Sequence, residues 1–168
     1  MAGTQSGQSP PSIRQRPVLF IFGRNYRLAI VDHQDVPLKL HQGYLTLSRS
    51  SLNKAPDVFK QFYKENAEKK IKERLQQIEE KFQQKPTAIK VLDLQHRWAS
   101  WTPKHGLNFH WKCAMAPVPV IDYIITHEMV HLTYPNRSPE FWNELDKKMP
   151  NYKEHENWLK QNGVKMTI

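Results

Sequence analysis

Two hydrophobic periodicities divide this chain. Between Val18 and Leu47 the apolar residues come in short runs broken by turn-forming positions. Val18–Phe22 (VLFIF) and Tyr26–Val31 (YRLAIV) flank Gly23-Arg24-Asn25, which predicts a hairpin. Val36, Leu38 and Leu40 alternate, and Tyr44–Leu47 follows the turn-like His41-Gln42-Gly43. Four short strands therefore come first. From Asp57 to Gln83 the period lengthens. Phe59, Tyr63, Ala67, Ile71, Leu75, Ile78 and Phe82 recur every three or four residues, with Lys and Glu on the other side. Strict heptads are not kept, so this long helix reads as a cover over the domain core rather than a coiled coil.

After Pro86, Ile89–Leu94 reads as a strand, and Leu107–Lys112 as another beyond a turn at Lys104-His105-Gly106. Pro117 and Pro119 are expected to break the chain before a helix over Val120–Tyr134. Ser138-Pro139 starts the next helix, with serine as N-cap and proline at the first helical position. Pro150 separates it from a last helix ending near Gly163. Strands and helices are therefore both expected. Residues 1–17, rich in Ser, Gln, Gly and Pro, read as a disordered lead-in to a domain over 18–168.

Composition narrows the partners. Lys and Arg number 25 against 16 Asp and Glu, a net charge of +9. That surplus suits loose attraction to anions, and a weak nucleic-acid contact is an expectation on that ground. Arg97, Trp98, Trp101, Lys104, His110, Trp111 and Lys112 could form one stacking and phosphate-binding surface, or be tryptophans packed beneath a sheet with lysines in solvent. The lone Cys113 cannot make an internal disulfide or a cysteine-based zinc knuckle, and reads as buried packing. No apolar run approaches a membrane span and no signal-peptide core follows Met1, so a cytoplasmic protein without membrane contact is expected.

The chemistry concentrates at His127-Glu128-Met129-Val130-His131, an H-E-x-x-H pattern. On a helix, positions four apart differ by about 40° around the axis, so His127 and His131 project side by side. Two neutral imidazoles so placed can bind zinc, and Glu128 can serve as base toward a water there. Asp122, Thr126 and Thr133 gather on a different arc of the helix, which turns the His-Glu-His face inward. A buried carboxylate beside two buried imidazoles is costly without compensation. A metal is one compensation, and a hydrogen-bonded cluster without an ion is the other.

The order and spacing of FGRNYRL, RWASWT, LNFHW, PVPVIDYIITHEMVHLTYPNRSPEFW and MPNYKEHENWLKQNG extend the match from about Phe20 to Gly163. Over that span the chain resembles the YgjP-like metallopeptidase domain family. The resemblance implies a zincin-like α+β fold with the HEMVH helix against a small antiparallel or mixed sheet. It also implies Zn2+ held by His127 and His131, with Glu128 as catalytic base. Relatives place a third histidine ligand six residues after the second, where this chain has Arg137. They also show R-W-G-S-C where this chain reads Arg97-Trp98-Ala99-Ser100-Trp101, so Ala99 and Trp101 crowd the cleft.

Arginine has no lone pair to give a metal. Glu140 and Glu144 fall outside the apolar arc of their helix and read as solvent-facing. His155, on the apolar side of the last helix, is the candidate third ligand, alongside a core-histidine reading; His105 and His110 are further candidates. Arg97, Trp98 and Arg137 are the candidate substrate-cleft residues. The leading expectation is a zinc-dependent hydrolase acting on a peptide. The alternatives are nucleoside-triphosphate pyrophosphohydrolysis at the same metal, as the family likeness also allows, or a catalytically weakened binding module for nucleic acid or protein.

Overall fold

The computed structural model describes residues 17–163, and the expectations for residues 1–16 and 164–168 lie outside it. Seven strands and four α-helices follow in the order β1 (Val18–Ile21), β2 (Arg24–Val31), β3 (Leu38–His41), β4 (Tyr44–Ser48), α1 (Ala55–Ile78), β5 (Ala88–Leu92), β6 (Ala99–Trp101), β7 (Gly106–His110), α2 (Val118–His131), α3 (Pro139–Lys148) and α4 (Tyr152–Asn162).

The strands form two mixed sheets, ordered β1-β2-β4-β3 and β5-β7-β6. Both hairpins of the first sheet close through two-residue turns in which both residues have positive φ: Phe22 (50°) and Gly23 (80°), then Gln42 (48°) and Gly43 (80°). The first turn therefore falls one residue earlier than expected. Its glycine is required twice over, because a Cβ at Gly23 would meet Pro117 Cγ at 2.9 Å.

Helix α1 buries Tyr63, Ala67, Ile71, Leu75 and Ile78, the stripe its periodicity predicted. It begins at Ala55 and ends at Ile78 in a short 3-10 turn, Glu79–Lys81, rather than running to Gln83. Its neighbours are α2, β5 and a 3-10 segment over Trp111–Met115. That segment shortens the expected strand to Gly106–His110, where the side chain of His110 accepts a hydrogen bond from the amide of Lys112 at 2.9 Å. Strand β6 has no forerunner in the sequence pattern. Three residues are too few to show a period, and it exists through antiparallel pairing with β7.

Helix α2 also starts earlier than expected, at Val118, because Pro119 sits in the first turn, where a missing N–H costs nothing. Ser138 caps α3 as predicted, its hydroxyl accepting from the amide of Phe141 at 3.4 Å.

Asp122 and Thr126 of the polar arc face protein, whereas Thr133 lies past the end of α2 and is exposed. Thr126 is buried, and Asp122 takes two hydrogen bonds from Arg74 of α1, at 2.8 and 2.9 Å. Both side chains of this pair are mostly buried, so cutting it leaves a charge without its partner. We expect Arg74→Ala to cost about 2 kcal/mol, measured by urea unfolding; an unchanged midpoint would show that the bridge contributes nothing.

Candidate metal centre

The site is built on α2, whose residues from Tyr123 to His131 are all buried. His127 and His131 lie one turn apart with ring centroids 5.0 Å from each other. Packing orients both rings. Phe141 of α3 stacks on His131 at 4.3 Å and meets His127 edge-on at 4.9 Å, while Trp101 of β6 lies nearly parallel to His131 at 6.0 Å.

Hydrogen bonds orient them further. Nδ1 of His131 lies 3.1 Å from the carbonyl oxygen of Tyr134. A carbonyl only accepts, so Nδ1 carries the proton and Nε2 keeps a lone pair. Nδ1 of His127 lies 3.3 Å from the hydroxyl of Tyr123, one turn earlier on α2. Metal-ligating histidines are commonly held in this way by a partner on the second nitrogen.

Two atoms carry the chemical argument. Nε2 of His127 and Oε2 of Glu128 are buried and have no hydrogen-bond partner among the described residues. Each such atom costs about 1–3 kcal/mol when left bare. Burial, with the charges of His131 and Arg137 adding to it, pushes the His127 imidazole down to about 2, so it is neutral at any ordinary pH. Burial likewise lowers His131, and it raises Glu128 to about 8, against the opposing pull of Arg137 and Arg97. Two neutral imidazoles and one orphaned carboxyl oxygen suit a divalent cation with a water beside it.

A cavity of about 320 Å³ opens on Glu128 and His131, with His127 behind its wall, and is lined also by Arg97, Ala99, Ser100, Trp101, Pro135, Asn136 and Arg137. Arg97 and Arg137 are thus brought to the cleft. Trp98 is not. It is buried and lines a second cavity with Phe20, Lys112, Met115, Trp158, Asn162 and Gly163. The chain bends at Trp98, just before β6, and its side chain is buried away from the cleft that Arg97 and Ala99 line. The basic and aromatic residues that might have made one stacking surface are not brought together: Arg97 and Trp101 line one cavity, Trp98 and Lys112 the other, and His110 is buried.

His155 does not complete a ligand set. Among the described residues no group of three or more His, Cys, Asp or Glu is arranged to hold a metal. The His155 ring lies 6.3 Å from that of Tyr123, with Nε2 3.3 Å from the side-chain amide of Asn151. The ring of Tyr123 also contacts His127, so His155 meets the site through Tyr123. Glu140 is exposed as expected, whereas Glu144 is half-buried and pairs with Lys148 at 3.6 Å. Burial raises the Cys113 thiol to about 12, as suits a packing residue. The residues that sequence reasoning passed over are Tyr123 and Phe141. Tyr123 stands four positions before His127, a spacing visible on the helix; the approach of Phe141 depends on how α3 folds back.

These features define a zincin-like α+β protein, and the chain belongs to the YgjP-like metallopeptidase domain family, which it matches over residues 2–162. The structure of the metallopeptidase zymogen abylysin from Pyrococcus abyssi is similar in fold, with a TM-score of 0.53 at 17% identity. The alignment covers 58% of this chain and 99% of the abylysin chain. No curated protein matches the sequence. Among the described residues no helix is long and apolar enough to cross a membrane.

Proposed function

We propose that this chain is a zinc-dependent metallohydrolase acting on peptide bonds, with zinc held by His127 and His131 and Glu128 as general base. The observation that carries this reading is the pair of buried, unpartnered polar atoms on consecutive residues, Nε2 of His127 and Oε2 of Glu128. Zinc there would supply Lewis acidity and make a water acidic near neutral pH.

The chain's own residues do the rest. Tyr123, the Tyr134 carbonyl and Phe141 fix the imidazoles. Glu128, facing the cleft, accepts the proton of the attacking water and passes it to the departing amine. Trp101 and Phe141 pack about the His131 ring, which still lines the cleft.

A second reading is a binding module whose metal site has weakened. Arg137 favours it, because the position at which the family resemblance implies a third histidine carries a cation on the cleft wall. One experiment separates the two. Protein purified without added metal, then given zinc and dialysed, should retain about one zinc per chain and cleave a mixed peptide library, with cleavage abolished by a chelator. Failure to retain zinc would leave the binding module.

A further inference from the structure

The cleft holds more positive charge than the base and the two imidazoles need. Arg97, just before β6, and Arg137, between α2 and α3, line its wall together with Glu128 and His131. Among the described residues neither arginine takes part in an ion pair, whereas Arg74 is bound to Asp122 and Arg49 to Asp32. Among the described residues Glu128 is the one acidic residue on the lining, so two guanidinium groups stand beside a single carboxyl before any metal is counted. Ser100 and Asn136 add neutral polar groups beside them. A guanidinium presents a planar fork of donors that matches a carboxylate in two-point contact. Both arginines are exposed, and such a pair on one cleft wall suits an oxyanion beside Glu128.

We propose that the cleft docks the free C-terminal end of a peptide, its α-carboxylate held by Arg137 and Arg97, so that residues are removed from the end of a chain. The proposal rests on the metallopeptidase-like reading. In peptides, the terminal carboxylate is the anion that neighbours a scissile bond whatever the side chains are. In the hydrolysis, the oxygen of water bonds to the penultimate carbonyl carbon, the C–N bond breaks, and the departing amine takes the proton that Glu128 received. The arginine pair then also explains why a cation is tolerated beside a zinc site: the substrate carboxylate neutralises it once bound.

The test is equilibrium binding, followed through tryptophan fluorescence because Trp101 lines the cavity. The full-length chain, with and without zinc, is titrated with tetra-alanine as the free acid, with tetra-alanine amide, and with inorganic phosphate. The free acid should bind about tenfold or more tightly than the amide in the absence of zinc. Arg137→Gln should bring that ratio to about one with circular dichroism unchanged, and Arg137→Lys should recover part of it. Equal binding of acid and amide overturns the proposal, as does an acid preference that survives both Arg137→Gln and Arg97→Gln. Phosphate binding without any acid preference also overturns it and makes the pair a phosphate site. This titration involves no turnover, so its failure is distinct from a failure to take up zinc, which would sink the hydrolase alone.

Discussion

Replacing Glu128 with glutamine is expected to lower peptide hydrolysis by a factor of about 10²–10⁴ while zinc content stays near that of the wild type. Glutamine keeps the size and one oxygen of the side chain but cannot take a proton from water. Two imidazoles, not this carboxyl, are the assigned ligands, so metal content separates loss of the base from loss of the site. Undiminished turnover in the variant would remove Glu128 from its role.

The same substitution has a second signature in the metal-free chain. Burial raises the Glu128 carboxyl from its ordinary value of 4.5 to about 8. Its neutral form is the one the fold favours, so that contribution to stability is complete below pH 4.5 and is lost as pH rises through 8. His127 works in the opposite sense: its imidazole is lowered, and stability is lost as pH falls below 6.5 toward 2. Melting temperature against pH should therefore fall on both sides in the metal-free wild type. Glu128→Gln should flatten the alkaline side only. A bound divalent cation favours the ionised carboxyl and should flatten that side as well.

The second large effect concerns the metal itself. His131→Ala, and separately His127→Ala, should reduce zinc affinity by about a thousandfold or more, because a site with two protein ligands is left with one. His131 is buried and stacked on Phe141, so its removal also leaves a void. A thermal melt of the variant establishes that the chain is folded before zinc is measured. The reverse change is as informative. Arg137→His removes a guanidinium from the cleft wall and places an imidazole where the family resemblance implies the third ligand. It should tighten zinc binding by about a hundredfold, read by competition with a chromogenic chelator. No gain on Arg137→His would mean that the loop carrying residue 137 cannot bring a side chain to the ion.

Much of this was legible in the residues. The stripe from Tyr63 to Ile78 predicted one long helix, because a period near 3.6 recurs over enough turns to stand out. Ser138-Pro139 predicted the start of α3 because capping is a local event. The inward turn of His127, Glu128 and His131 followed from the angles around one helix, and all three are buried. Local signals failed where pairing or docking decides. Strand β6 depends on β7, the strand after Gly106 stops where the chain coils beneath α1, and Pro119 lies inside the helix it was expected to precede.

The sequence by itself determined the shared helix face of the candidate site, because the spacing of His127, Glu128 and His131 acts through a single backbone repeat. It also determined that a cation stands at position 137. Only the tertiary structure decided what surrounds them: Arg97 and Trp101 in the cleft, Trp98 outside it, Phe141 against both imidazoles, and His155 behind Tyr123. Those relations join residues far apart in the chain. They depend on how separate elements share buried surface, which no local pattern of residues encodes.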